Sequence, residues 1–401
     1  LAKPAGTQRR EEHWRHLAQR LAAWEGAGLG RTMVPFDTAQ DPEAIVDGQR
    51  RLLFSSSNYL GLATHPKVLA AAQRALLHYG AGSGGSRLTT GTTREHLALE
   101  ADLAEWLGFE DCAFFATGFA ANLAAVSTYS DADTVIFSDE RNHASLIDGC
   151  RSAKKADLVI YPHRDLRALD TAMAQRLRAG RRGLLVSDGV FSMDGTLADV
   201  AGLMRLCQRH GCLLLIDDAH GIGTVGDGRG CAMKPRPDIL VGTASKALGA
   251  EGGFVCGPRD AIQLLRNQGR SFVFSTANAA PIIAAARAAV EVIRTDPGHV
   301  RRLQSNVSYL HRGLVALGLN VPEPYSPIVP IPLGDETVAM GVAASLTRKG
   351  LHVPAIRYPT VPRGAAILRI TVMSTHRTEQ IDALLGALAD TLPHHCQLPQ
   401  K

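Results

Sequence analysis

Leu213-Leu214-Leu215-Ile216-Asp217-Asp218-Ala219-His220-Gly221-Ile222-Gly223 is the stretch on which the fold turns. Four consecutive aliphatics read as a strand buried on both faces, the pattern of a parallel sheet and not of a half-wet antiparallel one. Asp217 then stands at the strand's carboxyl end, where open α/β sheets put their ligands. A carboxylate there can keep a heterocycle nitrogen protonated. A helix cap or a metal ligand is the competing reading of Asp217. A metal site would need further ligands at fitting spacing, and only His220 is near, so no metal is expected.

Outward from this strand the pattern alternates. Short apolar runs occur at 113–116, 134–137, 158–161, 183–186, 239–241 and 253–256, with helical periodicity over 66–79, 94–107, 166–179 and 199–210. Strands alternating with helices predict an α/β fold with a mostly parallel central sheet sandwiched by helices. Beyond about residue 295 come a long helix over 300–317, short strands near 328–331, 351–356 and 366–372, and a final helix near 378–391. The division expected is an N-terminal helical segment over 1–50, a large domain over 51–295 and a smaller α+β domain over 296–401. Pro393 and the polar His394-His395-Cys396 tail read as a frayed end.

Composition agrees with an enzyme. The 401 residues are 45% hydrophobic and 20% charged, with 43 Lys and Arg against 38 Asp and Glu. That net charge of +5 is too small and dispersed to argue for nucleic acid, though a basic surface suits an anionic thioester such as an acyl-CoA. Seven scattered cysteines (Cys112, Cys150, Cys207, Cys212, Cys231, Cys256 and Cys396) form no disulfide framework and suit a reducing compartment. No apolar run approaches the roughly 18 residues of a membrane span. The amphipathic stretch through Leu17, Leu21 and Trp24 lacks the apolar centre of a signal peptide. A cytoplasmic location is expected for these residues; the chain opens on Leu1 and not Met, so the expectation does not extend to anything ahead of it.

Two glycine patterns are decoys. Gly80-Ala-Gly82-Ser-Gly84-Gly85 follows a helix instead of a strand, so the dinucleotide context fails. Gly221-Ile-Gly223-Thr-Val-Gly226 follows a strand, but acids crowd its turn and no good helix start comes after it. Both read as backbone that turns sharply or approaches a ligand.

The chemistry concentrates in Thr243-Ala244-Ser245-Lys246-Ala247-Leu248-Gly249, just past another buried run. A solvated loop lysine is the bland reading. The hydroxyls of Thr243 and Ser245 around Lys246 suit a Schiff-base lysine with a phosphate held beside it. Asp217 is then the carboxylate that makes a pyridine ring an electron sink. Thr117-Gly118-Phe119 follows a strand and opens a helix, so the N–H groups of Gly118 and Phe119 can hold a phosphate. His143 lies just past a strand and can stack on a flat ring, or else cap a helix or sit hydrogen-bonded in the core. Ser192, beyond the strand ending at Val186, can donate to a phenolic oxygen.

Together, His143, Ser192, Asp217, His220, Thr243 and Lys246 resemble the α-oxoamine synthases, fold-type I pyridoxal phosphate (PLP) enzymes. The resemblance covers nearly the whole chain, from Asn58-Tyr59-Leu60-Gly61 to Leu368-Arg369-Ile370-Thr371. It implies decarboxylative condensation of an amino acid with an acyl-CoA, giving an α-amino ketone. By resemblance, Lys246 carries the cofactor and acts as acid and base, and Asp217 meets the ring nitrogen. His143 stacks on the ring, Ser192 and His220 meet the phenolic oxygen, and Thr243 meets the phosphate. Arg369 fixes the substrate carboxylate and Asn58 lies on the substrate side. The family implies a homodimer with shared sites, in which Ser275 and Thr276 reach the partner's phosphate. Gly82-Ser-Gly-Gly-Ser-Arg87-Leu88, Arg141–Gly149, Arg270–Thr276 and Ile356–Pro362 are most similar to the branch that joins L-alanine to a pimeloyl thioester. Thr90-Gly91-Thr92-Thr93 and Phe274-Ser275 resemble branches that use glycine, which keeps those alternatives open. An aminotransferase or lyase of the same fold would also keep Lys246 and Asp217. A non-catalytic partner subunit should have lost the lysine.

Overall fold

The computed structural model describes residues 5–178, 180–233 and 235–392; the 393–396 tail reading lies outside them. Seven strands form the central sheet, in the spatial order Asp111–Phe115, Gly253–Gly257, Ile239–Thr243, Cys212–Asp217, Arg182–Asp188, Thr134–Asp139 and Asp157–Tyr161. All run parallel except Gly253–Gly257, which is antiparallel to both neighbours. The expected mostly parallel, helix-sandwiched sheet is present, and each apolar run falls on a strand.

Why the runs are unbroken is visible in the packing. Leu214 and Ile216 face one apolar cluster and Leu215 the other; Leu185 faces the first, Leu184 and Val186 the second. A strand with helices on both faces must be apolar at every position, because period-two alternation sends neighbours to opposite layers. Leu213 departs from the reading: second in the strand, it is 47% exposed. Helix Gly118–Thr128 packs on the Leu215 face through Ala121, Ala124 and Ala125.

The expected helical segment over 1–50 holds a helix only at Ala5–Gly26. It is followed by a hairpin, Glu43–Val46 with Gln49–Leu53, closed by Asp47-Gly48, both at positive φ. That Asp-Gly turn is a hairpin signal, masked by the polar Gln49-Arg50-Arg51 after it. The hairpin pairs in parallel with Leu351–His352. A second small sheet joins Ile328–Gly334, Ala366–Thr371 and Ala355–Ile356, all antiparallel. Its strand Ala366–Thr371 is tied to the segment before Asn58, Thr371 N–H donating to Phe54 O at 2.9 Å. This tie brings Arg369 and Tyr59 towards the ends of the central strands. Among the described residues no helix is long and apolar enough to cross a membrane.

Candidate active site

A cavity of about 190 Å³ opens at the carboxyl ends of the central strands. It is lined by Gly118, Phe119, His143, Ser192, Asp217, His220, Thr243, Ser245 and Lys246, all singled out from the sequence, and by Asn122 and Asp188, which were not. A wider groove of roughly 870 Å³ lies between helices Pro66–Tyr79 and Ala280–Thr295. Its size does not make it the site: its acids Asp102 and Glu95 are already paired with Arg287.

At one end of the cavity sits an anion cradle. Helix Gly118–Thr128 begins here, with Thr117 Oγ1 accepting from Ala120 N at 3.1 Å. The N–H groups of Gly118 and Phe119 have no carbonyl one turn earlier, so they are available to an anion at the positive end of the helix. Facing them, Thr243 Oγ1 lies 2.6 Å from Ser245 Oγ and donates to Gly252 O at 2.7 Å. A Cβ at Gly253 would overlap the backbone of Gly118, so only glycine lets the two segments meet.

At the other end, Asp217 accepts from Asn122 Nδ2 at 2.6 Å and from Ala219 N at 3.0 Å. The same Asn122 amide donates to Ser145 Oγ at 2.8 Å, while Asn122 Oδ1 is buried without a partner among the described residues. His143 caps helix Ala144–Ser152, accepting from Ser145 N at 3.3 Å, and its Nδ1 lies 2.7 Å from Ser145 Oγ. Capping and ring-facing are therefore compatible here: one ring edge is anchored while the imidazole still lines the cavity.

Half-buried Lys246 lines the same cavity. Burial pushes its amine below the usual lysine range and the charge of Arg369 adds to this; Asp217 and Asp188 oppose it. A lysine so placed is more readily a free base near neutrality. Burial also holds the imidazoles of His143 and His220 below their usual range, His220 strongly, with the Lys246 charge adding in both. His220 Nδ1 is 2.8 Å from Tyr59 Oη, which leaves the rest of the ring to the cavity.

Four expected residues lie off the cavity lining. Asn58 uses its amide on the protein, donating to Gln40 O at 3.3 Å and accepting from Ala63 N at 3.3 Å. Ser275 is partly exposed and Thr276 exposed, with Thr276 bridged to Ser86. Arg369 is 9% exposed and donates from Nε to Ser192 O at 2.7 Å; its charge acts on both Lys246 and His220.

Asn122, Tyr59 and Asp188 were missed as site residues. Asn122 is one helical turn past Gly118 among alanines, a buried amide with nothing local to bond, and that was its signal. Asp188 was hidden because the Arg182–Asp188 strand runs two residues beyond the apolar stretch. The second glycine decoy is explained by buried Asp218, which accepts from Cys231 N at 2.9 Å and Sγ at 3.0 Å. A Cβ at Gly221 or Gly230 would overlap its carboxylate. Among the described residues no cluster of ligands suits a metal ion.

The donor set fits the group expected from the sequence. Hydroxyls and helix N–H groups suit a phosphate, a carboxylate suits a protonated ring nitrogen, and an amine stands between them. Comparison with known proteins agrees. Residues 50–388 match the family described as aminotransferase class I and II. The chain is 44% identical, over 94% of its length and 98% of the relative's, to a putative 8-amino-7-oxononanoate synthase of Desulfovibrio desulfuricans. It is 46% identical over 94% of its length to the biotin biosynthesis bifunctional protein BioWF of Corynebacterium kroppenstedtii, of which it spans 58%. The fold matches serine palmitoyltransferase from S. paucimobilis, solved with PLP and myriocin bound, at a TM-score of 0.88, 30% identity and coverage of 95% and 97%. The chain belongs to the aminotransferase class I and II family, and within it stands with the 8-amino-7-oxononanoate synthases.

Proposed function

We propose that this chain is a PLP-dependent acyltransferase that condenses L-alanine with pimeloyl-CoA, releasing CoA and carbon dioxide, a reading supported by its likeness to proteins named 8-amino-7-oxononanoate synthase. The observation that supports the reading is that Lys246, the Asp217–Asn122 pair and the Thr243–Ser245 cradle line one cavity.

When bound, PLP supplies an electron sink for the pair of electrons released at the amino acid α-carbon. The chain's residues do the rest. Thr243, Ser245 and the N–H groups of Gly118 and Phe119 hold the phosphate. Asp217 keeps a proton on the ring nitrogen, and Asn122 and Ala219 keep that carboxylate oriented. His143 covers one ring face. Ser192 and His220 meet the phenolic oxygen, with Tyr59 fixing the tilt of His220. Arg369 orients the substrate carboxylate. Lys246 takes the α-proton and later returns one, a task suited to an amine that burial holds below the usual lysine range.

Dimer formation and a cytoplasmic location belong to the same proposal. Ser275 and Thr276 lie off this chain's own cavity lining, next in sequence to exposed Phe274 (74%) and bridged to the segment that carries exposed Leu88 (56%), an apolar rim that a second copy would cover. The six described cysteines are all free thiols, which suits a reducing compartment.

Free-thiol detection of CoA tests the reading. Release with L-alanine and pimeloyl-CoA together, and not with either alone, is the expected result. Release chiefly with glycine or another acyl-CoA moves the chain to a sister reaction. No release with any thioester would favour an aminotransferase or lyase.

A further inference from the structure

Asp188 and Asp217 stand opposite each other at the carboxyl ends of two neighbouring parallel strands. Each lies two residues beyond a side chain of the same apolar face, Val186 and Leu215, so strand periodicity sends both carboxyls to that face. Both line the cavity, at 3% and 7% exposure. Two full charges so close in a dry site would repel strongly.

Their compensation is unequal. Asp217 receives a donor on each oxygen, one of them the Asn122 amide at 2.6 Å. Asp188 receives the His143 N–H at 3.0 Å and, among the described residues, has no salt-bridge partner. Asp139, ending the next strand on the opposite face, shows what a fully ionised acid looks like in this fold. It takes the N–H groups of Arg141 and Arg164 and lies 2.9 Å from His163 Nδ1.

We propose that Asp188 carries a proton at neutral pH, so that the Asp188–Asp217 pair holds one negative charge and keeps it on Asp217. Asp188 is then a positioning residue that acts through Asp217: by holding the pair's proton it leaves Asp217 ionised towards the cofactor's ring nitrogen. Burial pushes the Asp188 carboxyl well above the usual range, with the Asp217 charge next; Asp139 adds to this, and the His143 N–H and Lys246 oppose it. Tyr161 and Cys231 also sense it, both held neutral by burial, and buried Asp218, packed against Gly189, is itself pushed up to about 6 by burial. The consequence for the cofactor rests on the function proposed above; the shared proton does not.

Infrared difference spectroscopy of the carboxyl region tests it, on the holoenzyme and on protein freed of PLP. At pH 7 the wild type should show a protonated-carboxyl C=O band that is lost in Asp188→Asn, restored in Asp188→Glu and kept in Asp217→Asn. A difference spectrum without that band, or a band that Asp188→Asn leaves in place, overturns the proposal. Protein that shows the band but does not bind PLP would strike the cofactor reading and leave the shared proton standing.

Discussion

Asn122 Nδ2 lies 2.6 Å from Asp217 Oδ2, a contact between residues 95 apart in sequence. It fixes a buried carboxylate from the helix that also supplies the phosphate cradle, so both ends of the cofactor site depend on helix Gly118–Thr128. A hydrogen bond to a charged group contributes roughly 1.5–3 kcal/mol. Asn122→Ala is therefore expected to weaken PLP binding by about 10- to 100-fold. Absorbance titration of cofactor-free protein measures this; an unchanged affinity would remove Asn122 from the site.

Lys246 and Asp217 should fail in different ways. Lys246→Ala removes the amine at the cavity's centre, so the cofactor's lysine-linked visible absorbance and turnover should both disappear. Asp217→Asn keeps shape but not charge. It should retain bound PLP while slowing exchange of the alanine α-proton by at least about 10²–10³-fold, the scale of losing one preorganised electrostatic partner. Proton NMR in deuterium oxide follows that exchange directly. Near-normal exchange in Asp217→Asn would separate this carboxylate from the electron sink.

How far the site could be read in advance follows from which residues have local signals. Lys246, Asp217 and Gly118 each follow a buried apolar run, so the pattern that locates a strand also locates the ligand end of the sheet. Asn122 and Tyr59 act by reaching across the fold, to Asp217 and His220, and no spacing in the sequence encodes that reach. The hairpin at 43–53 escaped for a different reason: its second strand opens on exposed, polar Gln49 and Arg50 and becomes buried only at Leu53. The role expected of Ser275 and Thr276 is one that only a second copy could express, and in one chain they lie off the cavity lining.

Arg87 anchors the glycine-rich loop from beneath. Its Nη1 donates to Glu100 Oε1 at 2.8 Å and to Phe114 O at 2.9 Å, and Glu100 also accepts from Phe114 N at 2.7 Å. The pair is nearly buried, with side chains 7% and 4% exposed. Removing one partner of such a pair costs about 3–5 kcal/mol, because the other charge is left uncompensated. Urea unfolding of Glu100→Ala should show a loss of that order. Arg87→Met with Glu100→Leu should cost less than Glu100→Ala alone. If the double variant is the less stable one, the stranded-charge account is wrong.

Acid should loosen the protein through His376. Its Nδ1 accepts from Met373 N at 2.9 Å, its Nε2 donates to Leu53 O at 3.1 Å, and the ring stacks on Phe54 with centroids 4.4 Å apart. Both nitrogens are thus committed to the neutral form, and burial pushes the imidazole down to about 4. Between that value and the ordinary 6.5, the unfolded chain takes up a proton that the folded chain refuses. The sign follows: this contribution is whole above about pH 6.5 and is lost as pH falls towards 4, by up to roughly 3 kcal/mol. His96, also pushed down to about 4 by burial and by the Arg87 charge, adds a second acid-sensitive term. His376→Gln can retain an acceptor and a donor without titrating, so its urea midpoint should fall less than the wild type's between pH 7 and pH 5. Equal declines in the two proteins would assign the acid sensitivity to His96 and the other buried groups.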